Sequence, residues 1–144
     1  MRWLGILITA IVLFIAWDVT WWLGFGVSDM SPWTLRQMVE QHNAPVIIDV
    51  RTPAEYRSFH IPGAINVPWP ATLAELAYAS PDPDNPIVVV GLTGHRSPQV
   101  AHQLTAGGYT AVTNAPWAML AWKLLGGVVV EGASPGPLPA ATGS

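Results

Sequence analysis

Two short runs of consecutive branched apolar residues, Val46-Ile47-Ile48-Asp49-Val50 and Ile87-Val88-Val89-Val90, constrain this chain more than any other feature. A strand wetted on one face alternates apolar with polar residues, whereas a strand covered on both faces reads as an unbroken apolar run. Both runs are of the second kind. Helical and turn-forming sequence separates them, so the predicted class is α/β, a mostly parallel central sheet flanked by crossover helices. At 144 residues the chain holds one such domain and not two.

The remaining elements fall around those strands. Ser31-Pro32 is a helix start, a capping hydroxyl followed by proline, and Trp33, Leu35, Met38 and Val39 give that helix an apolar side before it stops ahead of His42-Asn43-Ala44-Pro45. Val27 to Met30 reads as a short linker. Pro53 to Arg57 forms one or two helical turns, Ala64 to Val67 a short extended piece, and Ala71 to Tyr78 a helix. The loop from Ser80 to Pro86 is exposed by composition. Ser97 to Ala106 is a helix ended by Gly107-Gly108, Ala111 to Thr113 a short strand, and Pro116 to Leu125 a last helix. From Glu131 to Ser144 the chain is rich in Gly, Pro, Ala and Ser and is expected to be a disordered tail.

Ahead of this domain, which is expected to occupy residues 27–130, residues 1–26 are almost uniformly apolar. Trp3 to Trp17 carries no charge, and Asp18 is the one ionisable residue between Trp3 and Phe25. Fifteen helical residues span only ~22 Å, short of the ~30 Å hydrocarbon core. Extending the helix to Trp22 gives ~28 Å and puts an indole near each interface. Asp18 then sits about one turn inside the boundary, close enough to reach headgroups. A cleaved signal peptide is the rival, with small residues at Gly24 and Gly26, but the apolar run is long and Trp21-Trp22 bulky for one. An uncleaved single-pass anchor is the favoured reading. Arg2 and the terminal amine precede the helix while Asp18 and Asp29 follow it, which places the domain on the extracytoplasmic side.

Other classes are disfavoured. The part after residue 26 carries five Lys/Arg against eight Asp/Glu, a balance that argues against nucleic acid as a partner. His42, His60, His95 and His102 are scattered and cysteine is absent, so no zinc spacing is present. There is no dinucleotide fingerprint, no phosphate P-loop and no internal repeat, and no cofactor is implied.

In open α/β sheets ligands sit beyond the carboxyl ends of strands. The loop Gly91-Leu92-Thr93-Gly94-His95-Arg96 leaves such an end and runs straight into the helix that begins near Ser97. Its N–H groups and the positive helix terminus would converge on an anion or a thiolate, with Arg96 as an added cation. A plainer alternative is that the glycines only turn the chain and Arg96 pairs with a carboxylate.

Asp49-Val50-Arg51-Thr52-Pro53-Ala54-Glu55-Tyr56, followed by His60-Ile61-Pro62-Gly63-Ala64-Ile65-Asn66-Val67-Pro68, strongly resembles the rhodanese-like family. Gly94-His95-Arg96-Ser97, Gly108-Tyr109, Val112 and Leu120-Ala121-Trp122 match the rest at the family's spacing, so that the resemblance covers roughly residues 31–130. It implies a small α/β domain in which a cysteine, first in the loop, accepts sulfane sulfur from a donor such as thiosulfate and passes it to a thiophilic acceptor. Counting back three from Gly94 puts that cysteine's position at Gly91. Glycine offers no thiolate, and no other cysteine exists in the chain to replace it. Thr93 and Ser97 have hydroxyls, but neither is followed by an obvious base, and an alcohol forms no persulfide. In the family His95 stands at a variable position, facing solvent or a ligand.

Further departures are Phe59, where a glycine usually precedes His60, and Trp117-Ala118, where paired glycines usually follow the last strand. Trp117 either lids the pocket or packs in the core. Asp49, Arg51 and Glu55 are kept and in the family serve largely to tie strand ends together. The expected function is a membrane-tethered domain without sulfur transfer of its own, acting as an anion-binding, regulatory or protein-interaction module. Its loop, Leu92 to Ser97, would hold a small oxyanion such as sulfate, thiosulfate or phosphate. The alternative is sulfur transfer or carriage through a thiol supplied by a partner, and the third reading is a protein-docking unit.

Overall fold

A computed structural model describes residues 1–135, with the side chains of Arg2, Trp21 and Trp22 outside that description. The indole expected at the outer interface, that of Trp22, therefore lies outside the described residues, as does the tail from residue 136 onward.

The chain runs α1 (Arg2–Gly24), β1 (Ser28–Asp29), α2 (Pro32–Glu40), β2 (Val46–Asp49), α3 (Pro53–Ser58), β3 (Ile65–Asn66), α4 (Leu73–Ala79), β4 (Ile87–Val90), α5 (Ser97–Ala106), β5 (Val112–Ala115) and α6 (Ala118–Leu124). One five-stranded sheet forms in the order β1-β5-β4-β2-β3, and each neighbouring pair is parallel. β4 is central and each of its four residues is buried, as its unbroken apolar run requires. Apolar residues cover both faces. Leu76, Val100, Ala101 and Leu104 of α4 and α5 pack on one, while Leu35, Tyr56, Met119 and Trp122 pack on the other.

Local chemistry explains the helix starts. The Ser31 hydroxyl accepts from the Thr34 N–H at 3.0 Å. Thr52 and Thr72 each open a capping box, closed by Glu55 and Glu75. The predicted linker is the main difference from the sequence reading. Ser28 and Asp29 form β1 and pair with Thr113 and Asn114, and the Met30 N–H continues the contact to the Asn114 carbonyl at 2.7 Å. Both strand side chains are exposed, so no hydrophobic pattern announces the strand. Main-chain bonds make it, with one side-chain bond from Asn114 Nδ2 to Asp29 Oδ1 at 3.0 Å.

The start of the predicted tail is also tied down. His60 and Val130 exchange both main-chain bonds, the Gly132 N–H donates to the Arg57 carbonyl, and the Ser134 hydroxyl accepts from the Asn66 N–H. α1 is long and apolar enough over Trp3–Thr20 to cross a membrane, with a mean hydropathy of 2.1, a property that signal sequences share.

Candidate functional site

Because every strand is parallel, all five end on the same side of the sheet, and β4 delivers Gly91 to the middle of that side. Gly91 is buried. A Cβ placed there would lie 3.7 Å from the Ser97 hydroxyl oxygen and 3.8 Å from both Ser97 Cβ and Val50 Cγ2, all ordinary contacts. Nothing in the packing therefore demands glycine at this position. Gly94 is different. Its φ is +92°, and a Cβ would come within 3.2 Å of Pro116 Cα and 3.3 Å of the Trp117 nitrogen, so both turn and clearance require glycine.

The loop between them shapes the site. Among the described residues, the main-chain N–H groups of Leu92, Thr93, Arg96 and Ser97 meet no protein acceptor. They lead into α5, which has no side-chain cap, so the terminus that ordinarily attracts an anion is left uncovered by its own sequence. Ser97 is fully buried and its hydroxyl has no partner, and it faces the space beside Gly91. From the other side the Met119 and Leu120 N–H groups donate to the Gly91 and Leu92 carbonyls, fixing the loop to α6.

Two of the loop's side chains are already engaged by carboxylates. The Arg96 guanidinium donates to both Glu55 oxygens at 3.4 Å, which matches the plainer alternative for this residue. His95 does not face solvent alone. Its Nε2 lies 2.5 Å from Asp18 Oδ1, close though not aligned as a hydrogen bond, and its Nδ1 lies 3.0 Å from the Thr93 hydroxyl. Asp18 is only 7% exposed. Its burial against the loop corrects the expectation of a carboxylate reaching up to headgroups. The one carboxylate in an apolar helix was the signal that could have marked this contact.

Burial works to raise the Glu55 pKa, but the Thr52 N–H and hydroxyl and the Arg96 guanidinium outweigh it and bring it from 4.5 to about 2. A folded value below the unfolded one contributes stability above the unfolded pKa and loses it as pH falls toward the folded one. Acid melts of the natural chain and Glu55→Gln should therefore converge as pH drops from 4.5 to about 2, the variant's Tm falling less steeply. Parallel Tm curves through that window would disprove the coupling.

Behind the loop, Arg51 and Asp49 form a buried pair, with NH2 to Oδ2 at 2.7 Å and Nε to both carboxylate oxygens at 3.1 Å. The same guanidinium donates to the Phe59 carbonyl at 2.7 Å, and Asn66 Nδ2 donates to the carbonyls of Asp49 and Arg51 at 2.9 Å. These side chains bind the end of β2 to α3 and β3. His60 stacks on Tyr56 at 3.7 Å, and the Tyr56 hydroxyl donates to the Ala64 carbonyl. The conspicuous sequence block thus builds the frame under the loop. Trp117 caps α6 with a left-handed φ of 57° and is half-buried.

Among the described residues no three His, Cys, Asp or Glu side chains gather as a metal site would require. A surface cavity of about 670 Å³ lies between α2, α6 and the start of β2, at the opposite end of that strand from Val50. It has no part in the loop.

A central parallel strand ending in a glycine-containing loop that runs straight into a helix start defines an α/β domain whose loop stands where open sheets of this kind hold their ligands. The chain belongs to the rhodanese-like domain family, which matches residues 31–125. It is 40% identical over 68 residues to a thiosulfate sulfurtransferase, PspE, of Escherichia coli, a match spanning 47% of this chain and 65% of that relative. A thiosulfate:glutathione sulfurtransferase of Saccharomyces cerevisiae is 27% identical over 127 residues, covering 78% of this chain and 91% of the relative. Among solved structures, the rhodanese-like domain of the Alr3790 protein from Anabaena sp. matches with a TM-score of 0.65 and 25% identity over 81% of this chain and 89% of that one. An E. coli rhodanese solved with anions matches at 35% identity and a TM-score of 0.54, covering 62% of this chain and 100% of the other.

Proposed function

We propose that this chain is a membrane-tethered rhodanese-like domain that performs no sulfur transfer by itself and acts as an anion-binding or partner-binding module. The observation that carries the reading is Gly91. The position from which the family's thiol would project holds no side chain, and the chain has no cysteine elsewhere. Around that vacancy, within the loop Leu92 to Ser97, the N–H groups of Leu92, Thr93, Arg96 and Ser97 are left without a protein acceptor among the described residues, which suits a small oxyanion such as sulfate, thiosulfate or phosphate. Main-chain donors carry this binding, since Glu55 already draws on Arg96.

Tethering is supported by the length and apolarity of α1 and by its contacts with the domain. Cleavage after Gly26 would remove both Asp18 from His95 and Phe25 from His102. Arg2 ahead of α1, with Asp18 and Asp29 behind it, supports an extracytoplasmic domain.

Full-length protein in detergent should turn over no thiosulfate to thiocyanate in thiol-free buffer, and should melt at a higher temperature as sulfate, thiosulfate or phosphate is added. Thiocyanate formation would sink the silent-domain reading, and a melt indifferent to all three anions would remove anion binding from it. One observation favours a second reading. The unpartnered Ser97 hydroxyl faces the place where a side chain at position 91 would begin, and a partner's cysteine that reached it could carry the sulfur. That reading predicts thiocyanate formation only when the partner or a small thiol is added.

A further inference from the structure

Two contacts set the direction of α1. Asp18 meets His95, and seven residues on in both segments the Phe25 carbonyl lies 3.2 Å from His102 Nδ1 with the two rings 5.8 Å apart. The last turns of α1 therefore run beside α5 and in the same direction. Since α5 starts at the carboxyl ends of the strands and runs back along the sheet, the preceding part of α1 projects beyond that same end, the end that bears the Gly91 loop.

Length then becomes decisive. Only the seventeen residues before Asp18 are available to the bilayer, about 25 Å of helix against a hydrocarbon core of about 30 Å. No helix is left over to hold the domain away from the lipid. The bilayer surface has to come down to the loop end of the sheet.

The tryptophans fit that placement. Beyond α1 the chain has four, and Trp122 is buried in the core. The other three each follow the carboxyl end of a strand: Trp33 after β1, Trp69 after β3 and Trp117 after β5. Trp33 and Trp69 are 55% and 42% exposed, and Trp117 is half-buried. The opposite end of the sheet instead carries Asp82 and Asp84 in the loop before β4. The loop end also carries Asp29 at the end of β1 and Glu55 in the first turn of α3, so it is the gathering of indoles there that matches the preference of tryptophan for the headgroup layer.

We propose that the loop-bearing end of the domain lies against the headgroup layer of the bilayer entered by α1, so that the Gly91 cradle opens onto the membrane surface. The occupant of this aromatic end is lipid, and whatever reaches the cradle arrives along the membrane plane. The inference rests on the tethered reading of α1 and goes beyond it, because a tether by itself fixes no orientation.

The chain lacks cysteine, so single-cysteine variants give unambiguous labels. Leu7→Cys, Trp69→Cys and Asp84→Cys, each in the full chain with an environment-sensitive fluorophore, are reconstituted in phosphatidylcholine vesicles. The vesicles carry nitroxide lipids labelled either near the headgroup or at mid-chain. Expected is strong mid-chain quenching at position 7, and headgroup-proximal quenching at position 69 severalfold greater than at position 84. Trp33→Cys repeats the reading from a second element should the substitution at 69 fail to fold. Quenching at 7 with positions 69, 33 and 84 alike unquenched overturns the orientation and leaves the tether standing. No quenching at 7 removes the tether and the orientation with it.

Discussion

Gly91→Cys is expected to convert the chain into one that takes up sulfur from thiosulfate. The backbone there is compatible with a side chain, and the new Cβ would make only ordinary contacts with Ser97 and Val50. Its thiol would sit among unpaired N–H groups at the start of α5, a setting that lowers a cysteine pKa and raises the thiolate fraction. The thiolate attacks the sulfane sulfur of thiosulfate, the new S–S bond forms as sulfite departs with the old bonding pair, and cyanide then removes the sulfur as thiocyanate. Thiocyanate production should exceed the protein-free background, at which the natural chain stays, by about 10²-fold, the scale on which preorganised donors act on a developing anion. Intact mass should rise by one sulfur atom after thiosulfate treatment. A variant that melts normally yet gains no sulfur would show that Trp117 and the end of α1 close the cradle, and the reading of an intact site would fall.

Arg51→Ala should produce the largest loss of stability of any substitution near the loop. Arg51 is 1% exposed, and its removal strands the fully buried Asp49 carboxylate while leaving the Phe59 carbonyl without its donor. Breaking such a pair costs about 3–5 kcal/mol, a large share of the 5–15 kcal/mol typical of a domain. A fall in Tm of more than about 10 °C follows for a domain of this size. Replacing both partners, as Asp49→Leu with Arg51→Met, should recover part of it because no lone charge remains buried. A single variant melting within a degree or two of the natural chain would mean that water replaces the guanidinium at little cost.

The sheet was legible because burial writes itself into composition. β2 and β4 are apolar runs, and α5 occupies the expected span from Ser97 to Ala106, ending where Gly107-Gly108 marks its stop. β1 was not legible, since a two-residue strand with both side chains exposed leaves no pattern and depends on bonds to β5, far away in sequence. Gly91 acquired meaning only from the matching blocks on either side of it. Asp18 defeated local reading for a different reason. Its helical neighbours predict lipid or water around it, and only a contact with a distant histidine explains its burial. The frame residues Asp49, Arg51 and Glu55 proved easier to place than the loop they support. Their partners lie mostly within a few residues in sequence, whereas His95 and Arg96 are engaged from α1 and α3.

The room beside Gly91 also bears on how the vacancy persists. Half of the glycine codons become cysteine codons by exchange of a single base, and the Cβ so gained would meet only ordinary contacts. Random mutation must therefore revisit the thiol often in any large population. If glycine endures there, packing around its Cβ position is not the reason, and the cause has to be sought in what the chain does.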